Sequence, residues 1–122
     1  MAKILVIDDD HAVRLTIQIF LERAGHEVIC ASDGEQGLRA FASDSPQLII
    51  TDIIMPNKEG IETIMLIRER DTTIPIIAMS GGGRVGNADF LKIASRLGAN
   101  EVLAKPFERQ DLIAAVRRLL PD

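Results

Sequence analysis

Three short apolar runs in this chain each end in charge. Ile4 to Ile7 runs into Asp8, Asp9 and Asp10, Leu48 to Ile50 runs through Thr51 into Asp52, and Val102 to Ala104 runs into Lys105. Apolar runs of this length, without polar alternation, suit strands covered on both faces, as in a parallel sheet. Between them, apolar residues recur at helical spacing, as in Val13, Ile17, Phe20, Leu21 and Ala24. Charges at the ends of such strands gather at one edge of one sheet, where open α/β sheets bind their ligands. Carboxylates crowded beside a lysine are costly to assemble, so a use for them is expected.

The same reading extends along the chain. Strands are expected over residues 3–8, Glu27 to Ala31, the approach from Pro46 to Asp52, Ile76 to Ser80, and Val102 to Lys105. The first helix is stopped by Gly25, and the second, Asp33 to Ala42, is capped by Asp33 or Ser32. A third follows the Pro56–Gly60 loop to about Glu69, and a weaker one spans about Ala88 to Leu97, ended by Gly98. The last carries Leu112, Ile113, Val116, Leu119 and Leu120. This alternation implies one α/β domain over residues 1–122, a doubly wound (βα)5 flavodoxin-like sandwich. Its five-stranded parallel sheet has the expected order 2-1-3-4-5, which puts the ligand edge between the strands ending at Asp8/Asp9 and at Asp52. Ser80 and Lys105 lie further along that edge.

Composition narrows the function. A chain of 122 residues, 47% hydrophobic, can bury a real core. No apolar stretch approaches the ~20 residues of a membrane span, so no membrane insertion is expected. The N-terminus lacks a basic segment followed by a long apolar one, so no signal peptide is expected. One cysteine, Cys30, fits a reducing cytoplasm. A net charge of −4, without Trp or Tyr, argues against direct nucleic-acid binding.

Clustered carboxylates repel, and one takes up a proton unless a cation intervenes. All-oxygen ligands at a shallow edge suit Mg²⁺, with Mn²⁺ as a substitute. A carboxylate can be a nucleophile and form an acyl phosphate. Lys105 offers a point charge for phosphoryl oxygens and Ser80 one hydrogen bond. Together these make a phosphoryl-transfer constellation. His11 and His26 have no metal-ligand spacing and read as surface residues, Asp10 reads as the cap of the first helix, and Gly81–Gly83 lacks the Lys-Ser/Thr ending of a P-loop.

In order and spacing, Asp8-Asp9, Asp52 with Met55-Pro56 and Gly60, Ser80, and Lys105-Pro106-Phe107 resemble a response regulator receiver domain of two-component signalling, over essentially the whole chain. The resemblance implies that Asp52 accepts a phosphoryl group from a phosphohistidine. It implies Mg²⁺ bound by Asp8 or Asp9, Asp9 most directly, with Asp52 and the backbone carbonyl of Ile54. It implies that Ser80 and Lys105 bind the phosphoryl oxygens, and that the Lys105–Pro106 bond is cis. The implied partners are a sensor histidine kinase or histidine phosphotransferase, and a downstream protein or an output domain. Such a chain is a switch rather than a turnover enzyme. The output face would include parts of Asn87–Arg96 and Glu108–Arg118, and the input would come through the first helix, where Leu15 and Ile19 form an apolar pair off the buried stripe.

Four features depart from the family pattern. Val102 stands where many receivers carry an aromatic or histidine that reports phosphorylation. Ile54 and Gly82 stand where side chains tune hydrolysis, and neither can bond a water through its side chain, which predicts a long-lived phosphorylated state. The Ser80-to-Lys105 segment is longer than in minimal receivers, and Lys58 replaces a commonly apolar residue. Two other readings compete. Asp8-x-Asp10 also opens the haloacid-dehalogenase phosphatase pattern, with Asp8 as nucleophile, and a pseudo-receiver interaction module would share the fold.

Overall fold

The computed structural model describes residues 2–53, 59–80, 92 and 95–120. Its strands are β1 (Lys3–Ile7), β2 (Glu27–Ala31), β3 (Leu48–Asp52), β4 (Ile76–Ser80) and β5 (Glu101–Ala104). They form one parallel sheet in the order β2-β1-β3-β4-β5, as the alternation of elements predicts. The helices are α1 (His11–Arg23), α2 (Gly34–Asp44), α3 (Glu59–Arg70) and the C-terminal helix Arg109–Leu119. Residues 92 and 95–97 are also helical, while most of the helix expected over 88–97 lies outside the described residues.

Alternation along the strands splits the core into two layers. Ile4, Val6, Leu48, Ile50, Ile77 and Met79 face α1 and the C-terminal helix, where Ile17, Leu21, Leu112 and Val116 meet them. Leu5, Ile7, Ile49, Ile76 and Ala78 face the other way, against Ile64 and Ile67 of α3 and Leu38 and Phe41 of α2. With apolar partners on both sides, every residue of β3 and β4 is buried. Ile4 to Ile7 of β1 are equally buried, and each large aliphatic side chain in these three strands contributes roughly 1.5–3 kcal/mol. The edge strands β2 and β5 are half exposed.

Local chemistry sets the helix ends. Asp10 caps α1, its carboxylate accepting from the N–H groups of Ala12 and Val13. Asp33 caps α2 through the Gln36 N–H. At the far end of the sheet, Arg68 of α3 donates from Nε and Nη2 to the Gly98 carbonyl at 3.1 and 2.7 Å, and from Nη2 to Asn100 Oδ1 at 2.9 Å. Gly98 has φ +117, and a Cβ there would press on the Arg68 side chain. The clamp fixes the chain just before β5.

Candidate functional site

Register assembles the site. Ile7 pairs with Thr51, so one step further sets Asp8 opposite Asp52. Asp52 pairs with Met79, and Ser80 with Ala104, so Ser80 and Lys105 extend the same row of strand ends. The Lys105 N–H donates to the Ser80 carbonyl at 3.0 Å, tying the last strand end to the fourth.

Asp8 is fully buried and almost saturated. Its Oδ1 accepts from the Asp10 N–H at 2.9 Å, its Oδ2 from Lys105 Nζ at 2.7 Å, and its carbonyl from Arg14 Nη1 at 2.6 Å. Its own N–H donates to the Ala31 carbonyl. Asp52 is 4% exposed, and its Oδ2 accepts from the same Lys105 Nζ at 3.0 Å. Asp9 is exposed, yet one carboxylate oxygen from each of Asp8, Asp9 and Asp52 lies within 4.8 Å of the others.

One ammonium therefore bridges two buried carboxylates. Burial pulls the Lys105 ammonium towards its neutral form, but the hydrogen bonds and charges of Asp8 and Asp52 outweigh it and hold its pKa above the ordinary lysine value. Ser80 is fully buried, and its Oγ has no hydrogen-bond partner among the described residues. Buried hydroxyls are rarely left this way, so the orphan points to a ligand with an acceptor oxygen.

Gly60 explains a local constraint that the sequence only hinted at. A Cβ there would collide with the backbone carbonyl of Asp52 and the Cα of Ile53. The first turn of α3 thus lies directly on the end of β3 and fixes where Asp52 points.

The donor set fits Mg²⁺ or Mn²⁺. Octahedral coordination at about 2.1 Å sets ligand separations of roughly 3 to 4.2 Å. The three acidic oxygens need only a small closure to reach that, and all are hard, anionic donors. Ile54, expected to add its backbone carbonyl, lies outside the described residues, as do Gly82, Lys58, Met55-Pro56 and the Gly81–Gly83 run.

The other expectations fall into place unevenly. The Lys105–Pro106 bond is cis. Val102 is 37% exposed on β5. Leu15 and Ile19 are both exposed on α1, 46% and 38%. Leu15 lines a groove with Arg14, Cys30, Ser32 and Gln36, on the β2 side of α1. His26 accepts a hydrogen bond from the Ala2 N–H, a tie that periodicity does not signal. Arg14, holding the Asp8 carbonyl, was also not foreseen; its position one turn after Asp10 is the only cue. Asp8, the nucleophile of the phosphatase reading, is buried with both carboxylate oxygens hydrogen-bonded.

Comparison with known proteins bears on the family and the fold. The family described as "Response regulator receiver domain" matches residues 4–117. The alkaline phosphatase synthesis transcriptional regulatory protein PhoP of Bacillus subtilis is 34% identical over 119 residues, covering 97% of this chain and 48% of that protein. The transcriptional regulatory protein CpxR of Escherichia coli is 36% identical over 120 residues, covering 98% and 50%. The chain thus spans about half the length of the curated relatives it matches. Among solved structures, a response regulator receiver domain protein from Clostridium thermocellum superposes with a TM-score of 0.89 at 36% identity, covering 98% of this chain and 94% of that one. The chemotaxis protein CheY4 of Vibrio cholerae gives 0.87 at 29% identity, covering 98% and 99%.

Proposed function

This chain belongs to the response regulator receiver family, and from that premise we propose that Asp52 is the phosphoacceptor of a two-component switch, served by Lys105 and Ser80. The observation that carries this reading is the unspent hydroxyl: Ser80 Oγ is buried without a partner among the described residues, at the sheet edge that also carries Asp52 and Lys105. A phosphoryl group on Asp52 supplies the missing acceptor.

The residues divide the work as follows. An Asp52 carboxylate oxygen attacks the phosphorus of a phosphohistidine, a P–O bond forms, and the P–N bond breaks with its electron pair leaving on the imidazole. Lys105 Nζ shifts from the two carboxylates to the new phosphoryl oxygens, and Ser80 Oγ donates to another. Asp8 and Asp9, with Asp52 and the Ile54 carbonyl, would hold Mg²⁺. When bound, the ion neutralises the crowded oxygens at the point of attack. Asp8, pinned by the Asp10 N–H and Arg14, keeps the turn in shape while Asp9 stays accessible.

The partners that suit this role are a histidine kinase or histidine phosphotransferase on the α1 side, and an output domain or target protein. The named curated relatives are transcriptional regulators, but a net charge of −4 makes this chain itself a poor nucleic-acid surface. No described helix is long and apolar enough to cross a membrane, and a cytoplasmic setting is part of the proposal.

The direct test is incubation with acetyl phosphate and Mg²⁺, followed by intact-mass and peptide mass spectrometry. One Mg²⁺-dependent phosphate is expected on wild type and none on Asp52→Asn. Phosphate on Asp8, with many turnovers on small phosphoesters, would overturn the assignment.

A further inference from the structure

Arg14 stands one turn into α1, against the field of its own helix. The start of a helix is the positive end of its dipole, where a cation is disfavoured. The first turn of α1 carries no acid to offset that charge. Arg14 nevertheless points back towards the end of β1, the direction helical side chains take. Its half-buried guanidinium donates from Nη1 to the Asp8 carbonyl at 2.6 Å. Its Nη2 lies 3.3 Å from His11 Nδ1, which steadies the other arm of the fork. A charge placed at such a disadvantage, and aimed at one backbone carbonyl, implies a use for fixing that carbonyl.

What the fork holds is the peptide between Asp8 and Asp9. The next peptide, between Asp9 and Asp10, is held as well, because the Asp10 N–H donates to Asp8 Oδ1 at 2.9 Å. Asp9 is therefore suspended between two fixed peptide groups. Nothing else restrains it: its side chain is exposed and makes no hydrogen bond among the described residues. Asp8 is bonded to Lys105 and to the Asp10 N–H, and Asp52 to Lys105. Of the three acids, only Asp9 has a carboxylate that can turn away. One of its oxygens lies within 4.8 Å of an oxygen on each of the other two, so like charge pushes it outward. The backbone opposes that push, and Arg14 is the side chain outside the acid cluster that braces the backbone.

A braced Asp9 bears on which ion the acids accept. Mg²⁺ demands near-ideal octahedral geometry at about 2.1 Å, whereas Ca²⁺ takes about six to eight oxygens at about 2.3–2.6 Å in flexible arrangements. Loosening one ligand therefore weakens the smaller ion more than the larger.

We propose that Arg14 is the positioning residue that sets the size selectivity of the acidic edge. It does so by holding the Asp8–Asp9 peptide so that Asp9 stays beside Asp8 and Asp52 before a cation arrives. This rests on the three acids being a divalent-cation site.

The test is amide NMR titration of the full chain with Mg²⁺ and, separately, with Ca²⁺, on wild type, Arg14→Gln and Arg14→Lys. The readout is the ratio of the two dissociation constants. Removing the Arg14 charge acts alike on two divalent ions, so it moves both constants together and leaves the ratio unchanged. Loss of positioning moves the ratio. Arg14→Gln should shift it towards Ca²⁺ by about tenfold, the lower end of what losing an outer-shell partner does to metal affinity. Arg14→Lys keeps the charge but replaces the fork by a single ammonium, and should shift the ratio the same way by at least about threefold. It also keeps the test open if Arg14→Gln folds poorly. A wild-type ratio in either folded variant would refute the role of Arg14. Wild type that binds neither ion would instead reject the cation site on which the proposal rests, and the selectivity with it.

Discussion

Replacing Asp52 by Asn should leave the unliganded protein at least as stable as wild type, although it removes an ion pair. The Asp52 carboxylate lies 3.0 Å from Lys105 Nζ, an attraction of about 5.5 kcal/mol at an effective dielectric of about 20. It also lies within 4.8 Å of acidic oxygens of Asp8 and Asp9, and each repulsion at that distance is about 3.5 kcal/mol on the same scale. Asp9 is exposed, so water screens much of its share. These attractions and repulsions nearly cancel, and burying a carboxylate to 4% exposure adds a desolvation cost of several kcal/mol. In the variant, Lys105 keeps its 2.7 Å bond to Asp8, so that pair survives. The expected result, in buffer stripped of divalent cations, is an unfolding free energy equal to wild type or up to about 2 kcal/mol higher. Mg²⁺ at about a hundred times its Kd should add about 2.7 kcal/mol to wild type and far less to the variant, so the ranking reverses. Urea titration followed by far-UV circular dichroism is the assay, since the chain has no Trp or Tyr. A cation-free loss of 2 kcal/mol or more in Asp52→Asn, on the order of one typical mutational effect, would show that the acids are not in conflict and would sink the reasoning.

Ser80→Ala removes a buried hydroxyl without a partner among the described residues, so stability should hold or rise by up to about 1 kcal/mol while phosphate uptake slows; a loss of more than about 1 kcal/mol would refute the orphaned hydroxyl. The Lys105 pKa is raised, so the stability its bridge contributes is fully present below the ordinary lysine value and is lost as pH rises through the higher folded value. Urea midpoints should therefore fall only at strongly alkaline pH, and Lys105→Met should lack that step. Gly60→Ala drives a methyl group into the Asp52 carbonyl and the Ile53 Cα, which are backbone and cannot swing aside. A loss of about 1–3 kcal/mol is expected, with weaker Mg²⁺ binding by calorimetry; unchanged values for both would mean that α3 does not hold the end of β3.

The strands were legible because they are covered on both faces, which leaves little room for polar residues between Leu48 and Ile50 or between Ile76 and Met79. Two strands differ by a residue: β1 ends at Ile7, one short of the expected range, and β5 runs from Glu101 to Ala104 rather than from Val102 to Lys105. β5 is an edge strand, and Glu101 is held by Arg118 of the C-terminal helix at 2.9 Å, a partner that no local pattern reveals. The helix caps Asp10 and Asp33 were readable because a cap is a local device. The α2 helix runs on to Asp44, two residues past the Ala42 expected from its pattern, and ends where Ser45 takes φ 49. The membership of the site was readable from strand ends, but its wiring was not. Lys105 meets Asp8 and Asp52 across 97 and 53 residues of chain. Which acid it meets depends on sheet register, so the sequence could name Asp8 and Asp9 as a pair without separating the saturated one from the accessible one. The orphaned Ser80 hydroxyl is a property of its surroundings and has no trace in residue order.

The charge count at the acidic edge has a consequence for how far its state can be sensed. Three carboxylates less one ammonium carry a formal charge of −2. If the site loads as proposed, a divalent ion would cancel it and a phosphoryl group would replace one negative charge of Asp52 with about two. The loaded site would then carry about −1, nearer neutrality than the empty one. At physiological ionic strength, so small a change is muffled beyond about 8 Å. Distance sensing through the electric field is therefore a poor means of reading this switch. A reader has to touch atoms that move, which makes the output a matter of shape and its selectivity tolerant of salt.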